Sequence, residues 1–315
     1  MGQEAVDVRL GEAFERYRYN APGPVSLPRL VVGSVLVVLL WIATTMLVIL
    51  PVMGWASTSF DELMTSNIGM FAMLLSFAGI WIGVWLALGL VHEDRLGNVL
   101  GASGRLSWRD FAKGVVAVVL TSLLSEVLIY AIRPEFTRSP LELSAWLLAL
   151  APMVLLCLLQ TSAEEVLFRG YLMRGLANRF RSPWIWSVLP GLGFLLIHFT
   201  PGVTPRDMAM ILLTIGALTV LLVMLVYVTG NLGASMGVHM GNNLVAFLFI
   251  GHQDGLAYYT LFRGAPIDDG TMTAGQTAAL VLVGWICVAL TWWLLVARRS
   301  PLRVGVDGGQ TWTSE

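Results

Sequence analysis

Long apolar runs, separated by short polar or turn-forming segments, dominate the sequence. A helix needs about 20 apolar residues to cross a hydrocarbon layer of about 30 Å. Runs that approach or reach this length cover residues 31–54, 67–91, 114–132, 146–168, 184–200, 208–228, 233–250 and 276–297, of which the fifth and seventh are the shorter ones and contain histidine. We therefore predict an all-α protein, a polytopic transmembrane helical bundle of about eight spans.

The composition excludes several other classes of protein. Hydrophobic residues make up 57% of the chain and charged residues 12%, against about 25% charged residues in a typical soluble domain. The mean hydropathy is +0.76. A disordered chain, a disulfide scaffold and a basic nucleic-acid binder are excluded, since both cysteines lie in apolar runs and the net charge is −1. We expect membrane lipid around the protein and no nucleic-acid partner.

The basic residues predict the orientation of the spans, because cytoplasmic loops carry an excess of Lys and Arg. With a cytoplasmic N-terminus and eight spans, every Lys and Arg falls on the inner side except Arg133, Arg138, Arg206 and Arg263. The sequence predicts an integral, multi-pass protein of the bacterial inner (cell) membrane with both termini cytoplasmic. Its parts would be a cytoplasmic N-terminal segment 1–30, a single transmembrane domain 31–300 and a cytoplasmic tail 301–315.

The first polar cluster lies at the end of the fourth span. Glu165 and Arg169 form an i,i+4 pair of opposite charge in the favourable order, which predicts a charge-neutralising role for Glu165. Glu164 then remains as the carboxylate with no local partner, and a carboxylate in a poorly solvated site suits general acid–base catalysis. The alternative is a helix end at the membrane interface, with two hydrated glutamates and an arginine that reaches the surface.

The other clusters lie in the two shorter spans. His198 follows the apolar run Phe194-Leu195-Leu196-Ile197, where a structural role is as natural as a chemical one. Ser235, His239 and Asn243 are spaced by four residues and share one helix face. Gly233, Gly237 and Gly241 form a separate stripe that allows close helix packing, within the subunit or between subunits. The alternative for His239 and Asn243 is hydrogen bonding between helices for stability alone.

We expect the other ionisable residues in or near the spans, Glu126, His92 and His252, to have structural rather than catalytic roles. We expect Glu126, inside the third span, to pair with Arg133 or with an arginine of another helix. His92 and His252 lie at span edges beside polar residues, and we expect both to be solvated.

Three spaced motifs, in this order, resemble one family. Glu164-Glu165-x-x-x-Arg169, Phe194-x-x-x-His198 and His239-x-x-x-Asn243 are similar to the motifs of the CAAX protease and bacteriocin-processing (CPBP or Abi) family, over about residues 146–250. The resemblance implies a glutamate-type intramembrane endopeptidase acting on a peptide or protein substrate, possibly lipidated. It implies that Glu164 activates water, that His198 positions or polarises this water, that His239 and Asn243 donate to the oxyanion, and that Glu165 and Arg169 support the site.

Several alternatives stay open beside this interpretation. Glu164, His198 and His239 are credible zinc ligands, although the His-Glu-x-x-His signature is absent; we favour catalysis without a metal or other cofactor. A non-catalytic membrane scaffold or immunity-type protein would keep the pocket without the reaction. A small transporter is the weakest alternative, because the sequence contains no internal repeat. The oligomeric state does not follow from the sequence.

The depths of Glu164 and His198 require a particular geometry. In a straight fourth span Glu164 would lie toward the cytoplasm, and His198, near the end of the fifth span, toward the far side. The two can meet if the fourth helix continues to about Asn178, which would place Glu164 deeper. We therefore predict a long fourth helix and a water-filled cavity that opens toward the cytoplasm.

Overall fold

The computed structural model describes residues 4–308 except Pro24, Thr65 and Pro201, so the last part of the predicted tail, 309–315, lies outside the described residues. Helices dominate the described chain. In chain order they are α1 Glu4–Arg18, α2 Leu27–Ala56, α3 Phe60–Met64, α4 Asn67–His92, α5 Leu96–Leu100, α6 Trp108–Ile132, α7 Leu143–Arg179, α8 Trp184–Leu196, α9 Pro205–Thr229, α10 Gly233–Leu244 and α11 Ala274–Val296.

The apolar helices match the predicted spans. Within the described residues, six helices are long and apolar enough to cross a membrane, namely α2, α4, α6, α7, α9 and α11. The short helices α8 and α10 occupy the predicted fifth and seventh spans. The predicted polytopic helical bundle is therefore confirmed. The fifth span is shorter than predicted, because its helix ends at Leu196 and the chain then turns.

Helix α7 runs without interruption for 37 residues. It continues beyond Glu165 through a π-helical stretch, Val166–Met173, and ends at Arg179. The predicted extension of the fourth helix to about Asn178 is confirmed. At a rise of about 1.5 Å per residue such a helix is longer than the hydrocarbon layer is thick, so Glu164 lies well inside it rather than at its end.

Helix α10 packs closely against α6 through its glycines. A Cβ atom built on Gly237 would collide with the carbonyl oxygen of Phe111, and one on Gly233 with that of Ser107. The approach is reciprocal, because a Cβ atom on Gly114 of α6 would lie 2.5 Å from the carbonyl oxygen of Ala234. The glycine stripe therefore serves packing within the subunit. Its effect is to hold the polar face of α10 at a fixed distance from α7.

Three short strands form a cap that the sequence did not predict. They are β1 Phe136–Arg138, β2 Ile250–Gly251 and β3 Phe262–Gly264. The sheet order is β1-β3-β2, with β1 and β3 antiparallel and β2 and β3 parallel. The sheet joins the loop after α6 to the loop before α11, at the end of the bundle where α6 finishes.

The partner predicted for Glu126 is wrong. Its carboxylate Oε2 lies 2.8 Å from Nε2 of His252, whose Nδ1 lies 2.8 Å from the carbonyl oxygen of Ala265. Arg133 instead donates to the carbonyl oxygen of Pro266 and to Glu135. His252 is thus not solvated as predicted, because it joins α6 to the cap.

His92 also differs from its prediction. Its Nε2 lies 2.8 Å from the hydroxyl oxygen of Tyr171, and the two rings meet edge to face. The side chain is half-buried between α4 and α7 rather than solvated. The sequence neighbours of His92 are polar, but its spatial neighbour is an aromatic side chain 79 positions away.

The two ends of the described chain meet at the end of the bundle opposite the cap. After α11 the chain folds back, and the backbone N–H of Asp307 donates to the carbonyl oxygen of Thr229 at 2.7 Å. The Asp307 carboxylate accepts from Asn231 at 2.7 Å. Arg16 of α1 donates to the carbonyl oxygen of Asp307 at 3.5 Å. The C-terminal segment therefore joins the turn before α10 to the first helix.

Candidate active site

The carboxylate of Glu165 is the most highly coordinated group of the polar core. Its Oε1 accepts from Nη1 of Arg169 at 2.9 Å, one helical turn further on. The same oxygen lies 2.9 Å from Nδ1 of His239 on α10, and Oε2 accepts from the hydroxyl of Ser235. All four side chains are buried. Because an ionised carboxylate accepts several strong hydrogen bonds at once, this arrangement keeps Glu165 charged and fixed.

The contact with Glu165 determines the tautomer of His239. A carboxylate paired with an arginine can only accept, so Nδ1 of His239 carries a proton. The opposite ring nitrogen, Nε2, lies 3.4 Å from Oε2 of Glu164. That distance lies within the range of an ion pair, but its geometry is not that of a hydrogen bond, and this oxygen has no hydrogen-bond partner among the described residues. Glu164 is 2% exposed, so an otherwise uncommitted carboxylate oxygen faces an imidazole deep in the bundle.

The cluster of Glu164, Glu165, Arg169 and His239 is electrically neutral if Glu164 and His239 share one additional proton. Glu164 and Glu165 contribute two negative charges, and Arg169 contributes one positive charge. A buried uncompensated charge costs several kcal/mol, so the cluster favours one further proton, held between Glu164 and His239. The shared proton can move between Glu164 and His239 without changing the total charge of the cluster. This is the requirement for general acid–base chemistry in a poorly hydrated place.

Asn243 reaches the same helix as Glu164 through Gln160. Its Nδ2 donates to Oε1 of Gln160 at 3.0 Å, and its Oδ1 accepts from Asn242 at 3.2 Å. These two contacts orient the amide of Asn243 and leave one N–H of Nδ2 uncommitted. Gln160 lies one turn before Glu164 and interacts with it. The three sequence motifs assign no role to Gln160, although its position four residues before Glu164 was an available signal.

His198 lies at the edge of the cluster. Its Nδ1 donates to the carbonyl oxygen of Phe194 at 2.8 Å, which leaves Nε2 as an acceptor in the neutral ring. The ring of Phe194 packs against both imidazoles, with its centroid 4.6 Å from that of His198 and 5.7 Å from that of His239. Among the described residues, His198 makes no hydrogen bond or ion pair with Glu164. The structure thus brings Glu164, Glu165, Arg169 and His239 into contact and places His198 beside them, half-buried.

The zinc alternative requires Glu164, His198 and His239 to lie together around one ion. In the part of the chain that the structure describes, no three His, Cys, Asp or Glu side chains are grouped so that they could hold a metal ion. Among the described residues, Glu164 approaches His239 at 3.4 Å but makes no hydrogen bond or ion pair with His198. The arrangement of these described side chains therefore does not fit a zinc centre.

The fold and the buried site define a class, a polytopic membrane protein with an ionisable cluster inside its helical bundle. Comparison with protein families makes this more specific, because residues 144–245 match the type II CAAX prenyl endopeptidase Rce1-like family. The matched segment begins with α7 and includes Glu164, His198, His239 and Asn243. The resemblance to the CAAX protease family is therefore confirmed over this third of the chain.

Among curated proteins, the chain is similar to YyaK of Bacillus subtilis (strain 168), an uncharacterised protein. The two are 26% identical over 199 residues, which is 61% of this chain and 66% of YyaK, slightly less than two thirds of that relative. No solved structure matches the chain. The family match supports a CAAX-type intramembrane protease, whereas the relative adds no activity.

Proposed function

We propose that this protein is an intramembrane endopeptidase that hydrolyses a peptide bond in a membrane-associated or hydrophobic peptide, possibly a lipidated one. The observation that carries the proposal is the buried contact between Glu164 and His239, inside the segment that matches the endopeptidase family. We further propose that both termini face the cytoplasm, in a bacterial inner membrane.

In the proposed mechanism, Glu164 is the base that activates water. When the shared proton resides on Nε2 of His239, Glu164 is ionised and takes a proton from the attacking water. The new C–O bond forms at the substrate carbonyl, whose oxygen becomes an oxyanion. Nε2–H of His239 and the free N–H of Asn243 then donate to this oxyanion. Glu164 delivers its proton to the leaving amine as the C–N bond breaks, and the cluster regains its starting charge.

The remaining polar residues hold these groups in place. Glu165 keeps the proton on Nδ1 of His239, as a second hydrogen-bond partner does for many functional histidines. Arg169 and Ser235 hold Glu165. His198 accepts from the attacking water through Nε2. No metal ion takes part in the proposed reaction.

Substitution of the proposed base provides the test. Glu164→Gln keeps the shape of the side chain but removes the base, and we expect the cleavage rate to fall by about 10²–10⁴-fold. Glu142→Gln, an exposed glutamate just before the same helix, should leave the rate unchanged. The assay uses full-length protein in proteoliposomes and a panel of fluorogenic peptides with and without a C-terminal prenyl group.

Two results would contradict the proposal. Cleavage by Glu164→Gln at the wild-type rate would exclude Glu164 as the base. A non-catalytic scaffold would instead be identified by two results together. The wild-type protein would cleave no peptide of the panel, and a Glu164/His239 double variant would fully complement a strain that lacks the protein.

A further inference from the structure

A second cavity lies apart from the Glu164 cluster, between α6, α9, α10 and α11. Its volume is about 300 Å³, and residues 250–253 and Ile267 close it from the side of the cap. Asn242 lines this cavity, whereas its neighbour Asn243 bonds Gln160 toward the other site. Helix α10 therefore separates the two places, and the proposed peptidase does not use this cavity.

The cavity has a mixed lining that suits neither water nor hydrocarbon alone. Most of its wall is apolar, with Ile129, Met210, Ile211, Ile215, Ile267 and Leu280 among the side chains that form it. Glu126, with its partner His252, provides the charged groups. A space of this volume has room on the order of ten water molecules. Apolar walls hold water poorly, and a bare hydrocarbon would leave the polar groups without partners. The lining therefore favours an amphipathic occupant.

At Glu126 and Asn242 the cavity offers acceptors, while Ser122, Ser125, Thr214 and Gln253 also line it with groups that can donate or accept. His252 directs both ring nitrogens to Glu126 and to the carbonyl oxygen of Ala265. Oε1 of Glu126 makes no hydrogen bond to another described residue, and it is not fully buried by them. Asn242 donates to Asn243 and keeps its own carbonyl oxygen. A head group that donates hydrogen bonds therefore matches the acceptor oxygens of Glu126 and Asn242. A carboxylate head group does not, because the carboxylate of Glu126 is also an acceptor and has the same charge.

We propose that this cavity is a binding site for an amphipathic molecule with one hydrocarbon chain and a hydrogen-bond-donating head group, a hydroxyl or an ammonium. The chain lies along the isoleucine and methionine side chains between α6, α9 and α11. The head group lies at Glu126 and Asn242. The surrounding membrane supplies molecules of this class, and the site is independent of the proposed peptidase activity.

Photolabelling of the full-length protein in lipid nanodiscs tests the site. The probes are ten-carbon chains with a mid-chain diazirine that carry a hydroxyl, an ammonium or a carboxylate head group. We expect the alcohol and the amine to label peptides of α6, α9 or α11 that line the cavity. Excess unlabelled alcohol should compete for this labelling, and the carboxylate should label the same peptides at least about tenfold less, a factor equivalent to 1.4 kcal/mol.

Two neighbouring substitutions provide a matched control. Ser122→Phe fills the cavity, because Ser122 lines it. Leu123→Phe changes the next residue, which is 52% exposed on the outer surface of the bundle. We expect Ser122→Phe to lower the labelling by about tenfold or more and Leu123→Phe to leave it within about twofold. Glu126→Gln, which introduces a donor, should remove the discrimination against the carboxylate.

The opposite results overturn the proposal. Labelling that is equal for all three head groups, that excess alcohol does not reduce, or that Ser122→Phe and Leu123→Phe affect equally would show partitioning into the membrane rather than a site. Normal cleavage by Ser122→Phe would leave the proposed peptidase function intact, so the two proposals fail separately.

Discussion

The imidazole of His239 lies between two consecutive glutamates, with Nδ1 2.9 Å from Glu165 and Nε2 3.4 Å from Glu164. Only one of these carboxylates is paired with an arginine, since Arg169 contacts Glu165. Two identical side chains, adjacent in sequence, therefore have different environments. One is fixed as a charge, and the other retains an oxygen without a hydrogen-bond partner among the described residues. The proposed division of roles in the mechanism follows from this asymmetry.

Loss of the arginine should destabilise the whole cluster. Arg169→Leu leaves Glu165 buried with no full positive charge beside it, and breaking a buried pair in this way typically costs about 3–5 kcal/mol. We expect a large fall in the thermal midpoint of the purified protein. Arg179→Leu, near the exposed end of the same helix, should change the midpoint little. Equal midpoints for the two variants would show that the pair contributes nothing to stability.

The contact between α10 and α6 should tolerate no side chain at Gly237. Gly237→Val forces the helices apart, at a cost of about 1–3 kcal/mol or more, and displaces His239 on the opposite face of α10. Both the thermal midpoint and the proposed cleavage should decrease. Gly216→Val on α9 is the control, because a Cβ atom built on Gly216 would lie 4.0 Å from its nearest neighbour, a methyl group of Leu195. A Gly237→Val protein with the wild-type midpoint would contradict the close approach of the helices.

The contact of His252 should make stability depend on pH. Burial alone would lower the pKa of His252, but the hydrogen bond to Glu126, the charge of this carboxylate and the carbonyl oxygen of Ala265 raise it above 6.5, against an opposing effect of Arg133. A raised pKa in the folded state gives a stabilisation that is complete below about pH 6.5 and is lost as the pH rises through the folded-state pKa.

Thermal midpoints of the wild type and His252→Gln, measured from about pH 5 to pH 9, check this dependence. The difference between the two proteins should be largest at the acidic end and should shrink as the pH rises above about 6.5. A difference that is constant across this range, or that grows with pH, would contradict a protonated contact.

Chelation should not abolish the proposed cleavage. We expect the purified protein to contain less than stoichiometric zinc and to keep its activity after treatment with a strong chelator followed by gel filtration. Metal analysis and the proteoliposome assay measure the two quantities. Stoichiometric zinc that is lost in His198→Ala and His239→Ala variants, together with activity that zinc restores, would show a metalloenzyme.

The amide of Gln160 should act on the reaction through Asn243. Gln160→Leu removes the acceptor that orients the Asn243 amide, and we expect a lower kcat with little change in KM. In the background of Asn243→Ala the same substitution should have a smaller effect, because the two residues are in contact. Additive effects of the two substitutions would show that Gln160 acts independently of Asn243.

The membrane spans could be predicted because each depends on a local property, a run of apolar residues. The long helix α7 could also be predicted, since a straight fourth span that ended near Glu164 would leave the acid far in depth from His198. The cap could not, because β1 pairs with β3 across more than a hundred residues of intervening chain. Two- and three-residue strands leave no alternating pattern to detect.

The candidate site could be predicted from the sequence only in part, because only contacts within one helix depend on local spacing. Helical spacing predicts that Glu165 meets Arg169 and that Ser235, His239 and Asn243 share one face. It does not predict which side chain of another helix each one meets. Thus Glu126 pairs with His252 rather than with an arginine, and His198 bonds its own helix at Phe194. Contacts between distant segments depend on how the helices are arranged around one another.

The meeting of Arg16 with the carbonyl oxygen of Asp307 also restricts how the chain is threaded. A polypeptide whose first helix and last described residues touch on one side of a bilayer has traversed it an even number of times. Six long helices alone satisfy this parity, and so do the same six with α8 and α10 as full crossings. Seven crossings do not. A reporter enzyme fused ahead of α1 and one fused after the C-terminal segment should consequently report the same compartment.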